Sequence, residues 1–202
     1  MLGLPKSTEL SKQLPKKAIY AKFNMNTAAR EKFDADVSRI TITNEVSPAT
    51  VAVKAGENVK SFYVLLVSLK RRDFDEKIIS TLSKLIEQNM LFVLECDGKA
   101  KLAVFRSKVI SGDWSDKDSL TVSLNGLDLD SVWQNIIVQV GGIEIEHGNS
   151  LDEQIAEDDR RARLQKEIDK LEKKARAERQ PKKKFELFQK IKELEMKIIE
   201  MY

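Results

Sequence analysis

The spacing of apolar residues changes at Gly142, and this change constrains the fold more than any other feature of the sequence. Before Gly142, apolar residues alternate with polar ones at Ile40 and Ile42, as in a strand, or follow helical periodicity between Phe74 and Ile86. After Gly142, they recur at intervals of four and three residues, the spacing of helices that pack side by side. The sequence therefore predicts an α+β body followed by a helical tail.

The predicted body has an antiparallel or mixed sheet with helices packed on it. The continuous apolar run 59–69 predicts a strand that is buried on both faces and central in this sheet. Asp97-Gly98 is a strong tight-turn dipeptide and predicts that the strands on either side of it pair. The other strands are predicted at 40–42, 51–53, 90–94, 101–105 and 120–124, with 40–42 and 51–53 forming a hairpin.

Three helix starts are predicted in the body from side chains that cap helices. The expected capping residues are Asn26 or Thr27, Asp73 with Glu76 in a capping box, and Asp128 or Asp130. The last of these helices is expected to end at Gly141-Gly142.

The tail contains two apolar seams separated by Pro181. Their members are Leu164, Ile168, Leu171 and Ala175 in the first seam, and Leu187, Ile191, Leu194, Ile198 and Met201 in the second. Proline ends or kinks a helix, and it also suits the first turn of a new one. The tail is therefore expected to be a helical hairpin or one long kinked helix in a coiled coil. Each seam needs a partner, which is the other seam, the body or a second chain.

These patterns predict four segments. They are a basic N-terminal arm at 1–24, an α+β domain at 25–142, a linker at 143–150 and a basic helical tail at 151–202. The arm cannot bury much surface by itself, so it is expected to lie against the body or a partner.

Charge is segregated along the chain, although the net charge is only +3. Residues 23–159 hold 15 basic and 23 acidic side chains, whereas residues 160–184 hold 12 basic and 4 acidic ones. Such a basic block is either the solvated face of surface helices or a binding surface for phosphates or acidic proteins. The candidate binding residues are Arg160, Arg161, Arg163, Lys166, Lys170, Lys173, Lys174, Arg176, Arg179, Lys182, Lys183 and Lys184. A smaller basic run, Lys70-Arg71-Arg72, follows the central strand.

Catalytic patterns in the sequence are weak. Asp97-Gly98-Lys99, with Asp73 or Asp75 upstream, resembles the carboxylates and lysine that hold Mg²⁺ and orient water in some nucleases. A turn and a helix cap account for the same aspartates, however, and the triplet is short. The single cysteine and the single histidine, Cys96 and His147, do not suggest a nucleophile and base. We therefore expect no metal and no cofactor, and a non-catalytic protein is favoured, while the nuclease stays open as an alternative.

Several segments resemble a bacterial family known only as a domain of unknown function. The segments are Leu4-Pro5-Lys6-Ser7-Thr8-Glu9, Leu14-Pro15-Lys16-Lys17, Ile40-Thr41-Ile42-Thr43-Asn44, Val46-Ser47-Pro48-Ala49-Thr50 and Leu91-Phe92-Val93-Leu94. Members of that family look like companions of helicases and DNA methyltransferases in restriction and phage-defence gene clusters. The resemblance implies a non-catalytic accessory role near DNA, and it supplies no catalytic residues.

Three hypotheses follow for function. The first is an accessory or adaptor protein that binds a helicase or methyltransferase subunit, and DNA through the basic tail. The second is a small metal-dependent nuclease that uses Asp97 and Lys99. The third is a structural protein that forms homo-oligomers through its seams. In each case we expect a cytoplasmic protein with no membrane span, since no apolar run is long enough.

Overall fold

A computed structural model describes residues 2–201 and divides the chain into two compact units, one up to Ile143 and one from Glu144 onward. The first unit contains the sheet. Its strands are β1 (Glu9–Gln13), β2 (Val37–Val46), β3 (Phe62–Leu69), β4 (Asn89–Cys96), β5 (Lys99–Phe105), β6 (Val109–Ser111) and β7 (Ser115–Asp116). Its helices are α1 (Lys16–Lys22), α2 (Thr27–Asp36), α3 (Lys77–Leu82) and α4 (Leu129–Gly141). The second unit consists of α5 (Leu151–Ala177) and α6 (Pro181–Ile199).

The sheet is mixed, which confirms the predicted α+β class. Its strand order is β1-β2-β3-β4-β5-β6, with β7 also paired to β5. Only the β3–β4 pair is parallel among the strand pairs of residues 2–201. Phe62, Val64 and Leu65 of β3 are fully buried, as predicted for a central strand covered on both faces. Asp97 and Gly98 both have positive φ and form the predicted turn between β4 and β5.

The N-terminal segment is part of the sheet of the first unit. Strand β1 pairs with β2 in antiparallel register, with Lys12 opposite Ile42. After β1, the amide of Leu14 donates to the carbonyl of Ile40 at 2.9 Å, and Ile19 of α1 is fully buried. The segment that cannot bury much surface by itself thus packs against the body.

Two predicted strands are wrong. Residues 51–53 do not pair with β2, because the chain turns at the end of that strand. The Thr50 hydroxyl closes this turn by donating to the Glu45 carbonyl at 2.9 Å and accepting from the Ser47 amide at 2.9 Å. The partner of β2 is instead β3. Residues 120–124 form only an isolated bridge. The reason is that the Gln139 side chain of α4 hydrogen-bonds both the amide and the carbonyl of Ser123, which would otherwise be available to a neighbouring strand.

Helix caps confirm two of the three predicted helix starts. Asn26 caps α2 by accepting from the Ala29 amide, and Asp128 caps α4 by accepting from the Ser131 amide. Helix α4 ends at Gly141, and Gly142 directly after it has the left-handed conformation expected there.

The predicted capping box of Asp73 and Glu76 is wrong. Helix α3 begins later, at Lys77, whose amide donates to Asp75 Oδ1 at 3.0 Å. The physical reason lies in α2: the buried carboxylate of Asp36 accepts from the Asp75 amide at 3.0 Å and holds this stretch outside the helix.

Helices α5 and α6 pack against each other, so the tail is a helix pair and not one kinked helix. The two seams form one apolar cluster, in which Ile168, Ala175, Ile191 and Leu194 are buried. Pro181 is the first residue of α6, as its missing N–H allows. The pair is antiparallel, because Arg161 near the start of α5 donates to the Met201 carbonyl beyond the end of α6.

The start of α5 is fixed by a capping box that the sequence interpretation missed. The Ser150 hydroxyl accepts from the Glu153 amide, and the Glu153 carboxylate accepts from the Ser150 amide at 2.8 Å. Within residues 2–201, no helix has the length and apolar character needed to cross a membrane.

Candidate functional site: the basic face of the C-terminal helix pair

The outer side of α5 carries a continuous row of cations, which we name the basic face. At 100° per residue its members span an arc of about 140° and a length of about 21 Å along the helix. They are Arg160, Arg163, Lys166, Lys170, Lys173 and Lys174, all of them exposed. Between 160 and 174, Glu167 is the one carboxylate within this arc. The basic charge on α5 is thus concentrated on one side of the helix.

The seam between the helices fixes the direction of the basic face. Ile168 is 3% exposed and Ala175 is fully buried, because both pack against α6. Seam residues centre about 120° around the helix from the basic face. Burial of the seam therefore holds the cations of α5 in solvent and prevents the helix from rotating about its axis.

A second group of cations lies where the two helices are joined. It consists of Arg179, Lys182, Lys183 and Lys184, all exposed. A groove of about 640 Å³ opens beside this group, between the end of α5 and the first turns of α6. Its lining includes Lys174, Lys183 and Lys190, together with Glu178 and Glu186. Lys174 thus belongs both to the basic face and to the groove, so the two groups of cations are continuous.

Two of the twelve candidate residues have structural partners. The Arg161 guanidinium lies 2.8 Å from Glu146 Oε1, donates to the Met201 carbonyl and is only 15% exposed. This hydrogen bond from Arg161 holds the pKa of Glu146 below its ordinary value. Arg176 forms an ion pair at 2.9 Å with Glu172 on its own helix. These two arginines lie outside the basic face, and their ion pairs account for their positions on the helix.

The remaining ten candidates have no ion pair among the described residues. Exposed, unpaired cations attract counterions, and a phosphate backbone that displaces those counterions gains affinity that depends on salt. Phosphate contacts position a protein on nucleic acid without reading its sequence. The arrangement is therefore suited to holding a polyanion along α5, without selectivity for bases.

Three of the four residues of the nuclease hypothesis, Asp75, Asp97 and Lys99, have another role in the structure. Asp75 accepts from Lys32 at 2.6 Å and from the Lys77 amide, and both bonds hold its pKa below the ordinary value. Asp97 is in the β4–β5 turn, and Lys99 pairs with Asp116 at 2.6 Å. Asp73 is exposed.

The potential metal ligands and the single cysteine do not form a further site within the described residues. Residues 2–201 contain no group of three or more His, Cys, Asp or Glu side chains that would hold a metal ion. Cys96 is buried in β4, and burial raises the pKa of its thiol, which disfavours the nucleophilic thiolate. His147 lies in an exposed turn before α5.

The smaller basic run after β3 is used inside the first unit. Arg71 Nε donates at 2.5 Å to Oδ1 of Asp36, and Asp36 is fully buried. The Arg72 guanidinium lies 5.9 Å from the centre of the Trp114 ring. Lys70 donates its amide to the Asp36 carbonyl. These contacts join the end of β3 to the α2–β2 junction.

Replacing Arg71 with alanine is expected to destabilise the first unit by about 2 kcal/mol, because the buried Asp36 carboxylate then loses its charged donor. The figure is modest because the Arg71 side chain is 56% exposed. Urea unfolding followed by tryptophan fluorescence measures the effect. Arg39→Ala is the matched control, since Arg39 is exposed, and its free energy of unfolding should change by less than about 0.5 kcal/mol. Equal effects of the two changes would contradict the role of the Arg71–Asp36 pair.

Comparison with known proteins gives one match. A model of the family described as Domain of unknown function (DUF4391) matches residues 2–198, which include both the sheet and the helix pair. No curated protein and no solved structure matches the chain.

Proposed function

Because the chain belongs to the family described as Domain of unknown function (DUF4391), we propose its function from its own surface. It is a non-catalytic accessory protein, and it contacts the phosphates of DNA through the basic face of α5 and the lysines that begin α6. The match confirms the expected family of unknown function. It assigns no activity, so the proposal depends on the geometry and charge of this chain.

The observation that supports DNA contact is the exposed and unpaired state of the basic face. Ion pairs within a surface helix are common when charge serves only solubility, and here Arg176 shows such a pair with Glu172. Lys166, Lys170 and Lys173 instead face solvent without one among the described residues. Their net positive charge is kept on a rigid, packed helix pair, which limits the entropy lost when a polyanion binds.

The proposal extends to a setting and a partner. In it, the protein is a cytoplasmic accessory or adaptor of a bacterial DNA restriction or phage-defence complex and binds a helicase or methyltransferase subunit. What supports this part is the resemblance of segments such as Leu4–Glu9 and Val46–Thr50 to a family found beside such enzymes. The first unit would supply the protein contact, and the helix pair would reach the DNA.

Fluorescence anisotropy of a labelled DNA duplex tests the DNA contact directly. The full chain is expected to bind, and the logarithm of its affinity should fall linearly with the logarithm of salt concentration. Contact with six phosphates, three through the basic face and three through the lysines that begin α6, gives a slope of about −5.4, so affinity should drop about 2,000-fold between 50 and 200 mM salt. Two duplexes of unrelated sequence should bind within about twofold of each other, because phosphates carry no sequence information.

Two results would contradict the proposal. Absence of binding at 50 mM salt would remove DNA as the ligand of the basic face. Binding that does not respond to salt would show that phosphates are not what the cations contact. Poly-glutamate at equal charge concentration is the control for a general preference for polyanions, and DNA should bind more tightly than this peptide.

A further inference from the structure

Helix α6 has a second row of apolar residues outside the seam, which we name the outer stripe. Its members are exposed to an unusual extent for their size. They are Phe185 at 62%, Phe188 at 49%, Met196 at 49% and Ile199 at 63% exposure. The seam of the same helix is already covered, since Ile191 and Leu194 are buried against α5. Helix α6 is therefore apolar on two sides about 130° apart, and only the seam is covered among the described residues.

The outer stripe has the geometry of a helix-pairing surface. At 100° per residue its four members lie within an arc of about 80°, centred about 130° around the helix from the seam. Their spacing of three, eight and three residues keeps them in line over about 21 Å. Isolated exposed apolar residues need no explanation, whereas an aligned row on one side of a helix favours a partner helix.

The outer stripe is symmetric about Lys192. Phe188 and Met196 lie four residues before and after it, and Phe185 and Ile199 lie seven residues before and after it. A two-fold axis at Lys192 that relates two antiparallel copies of α6 therefore places Phe188 level with Met196 of the other copy, and Phe185 level with Ile199. Lys192 itself lies at the centre of the arc, so the two Lys192 side chains meet at the axis, and their charged ends must extend sideways into solvent while their stems cover the apolar residues. A self-complementary surface of this kind is what a two-fold dimer requires.

Charges beside the outer stripe favour the same antiparallel arrangement. Lys182 and Glu200 are 18 residues apart, which is five turns at 3.6 residues per turn, so they lie on the same flank at opposite ends of the stripe. Glu200 keeps helical dihedral angles just beyond α6. Antiparallel pairing brings Lys182 of each copy close to Glu200 of the other, whereas in parallel pairing Lys182 and Glu200 would lie at opposite ends of the interface and could not contact each other.

We propose that the outer stripe of α6 binds the outer stripe of a second copy of this chain in antiparallel orientation, with the two-fold axis at Lys192. The aromatic and aliphatic side chains of the stripe are buried between the copies. Lys182 and Glu200 fix the direction of pairing at both ends. This inference does not depend on DNA binding, and it differs from pairing through the seams, because the seams cover each other within one chain.

Analytical ultracentrifugation of the full chain without DNA tests the proposal. One helix per copy is a small interface, so we expect a monomer–dimer equilibrium with a dissociation constant in the range of about 1–100 µM. Phe188→Glu should weaken dimerisation about 30-fold or more, since it places a charge in each of two symmetric sites. Leu127→Glu is the matched control, because Leu127 is an apolar residue of the first unit at 92% exposure, and it should leave the equilibrium unchanged.

A charge exchange distinguishes a second copy from any other apolar partner. Lys182→Glu alone and Glu200→Lys alone should each weaken dimerisation about tenfold, because like charges then meet across the interface. The double variant K182E/E200K should recover the original dissociation constant, since the pair is restored with reversed polarity. All three changes lie at exposed positions, so circular dichroism should show unchanged helix content.

Three results would overturn the proposal. The first is a monomer at every concentration up to about 500 µM. The second is a dimer that persists in Phe188→Glu. The third is a double charge variant that is no better than the single ones, which would exclude the antiparallel register. None of these results bears on the anisotropy experiment, so failure of the dimer and failure of DNA binding are distinguishable.

Discussion

Replacing Lys182, Lys183 and Lys184 together with alanine is expected to lower the affinity for duplex DNA about 500-fold at 0.1 M salt. Each cation that neutralises a phosphate contributes through the counterion it releases, and three such contacts account for this factor. The three lysines are exposed in the first turn of α6, next to the groove that Lys174 shares with the basic face. Their removal shortens the row of cations at the end where the two helices are joined.

Anisotropy titrations at several salt concentrations separate this effect from a general loss of charge. The slope of log affinity against log salt should become less steep by about 2.7 in the triple alanine variant. The matched control replaces three exposed lysines of the first unit, Lys6, Lys54 and Lys84, and changes the net charge by the same amount. We expect the control to lose less than about fivefold in affinity, because its charges act only at long range through screened solvent. Similar losses in both variants would show that net charge, and not the position of the cations, controls binding.

The parts of the fold that the sequence predicted are those controlled by local interactions. Asn26 and Asp128 bond amides only three residues ahead, so residue type and position were sufficient to predict both caps. The buried run of β3 was equally clear, because a strand covered on both faces needs apolar residues throughout. Asp97-Gly98 forms its turn through its own backbone conformations.

The errors arose where residues distant in sequence decide the local structure. Asp73 and Glu76 have the spacing of a capping box, but Asp36, more than 30 residues earlier, binds the Asp75 amide and delays the helix. Residues 120–124 have the alternation of a strand, but Gln139 bonds the backbone of Ser123. Neither partner could be identified from spacing alone, because nothing local to either segment indicates it.

The candidate site illustrates both cases. Its twelve cations were found by counting, and helical spacing alone would have separated Arg161 and Arg176 from the basic face. The partners of Arg161 could not be predicted, since Glu146 reaches it only when the segment before α5 folds back along that helix, and the Met201 carbonyl only when α6 does so. The outer stripe of α6 was detectable in the sequence from the symmetric positions of Phe185, Phe188, Met196 and Ile199. It was missed because the more regular seam explained the same helix.

Ile191→Ala is expected to destabilise the helix pair by about 2–4 kcal/mol. Ile191 is 5% exposed in the cluster between α5 and α6, so its truncation removes buried methyl groups and leaves a cavity. The helix pair depends on this cluster, because isolated helices are only marginally stable in water and α5 is strongly polar. Thermal unfolding followed by circular dichroism at 222 nm measures the loss, and both tryptophans, Trp114 and Trp133, lie in the first unit and report on it separately.

Ile199→Ala is the matched control, since it makes the same chemical change at an exposed position of the same helix. Ile199 is 63% exposed, so in the monomer its truncation should cost less than about 0.5 kcal/mol. The DNA affinity of Ile191→Ala should follow its stability. At temperatures where the helix pair is folded, the variant should bind DNA normally. It should lose this binding as the 222 nm signal is lost, because the basic face exists only while α5 is packed in the seam. Equal destabilisation by the two changes would show that the seam does not control folding of the pair. Binding that persists after the 222 nm signal is lost would show that the cations act without a folded surface, as in a disordered basic segment.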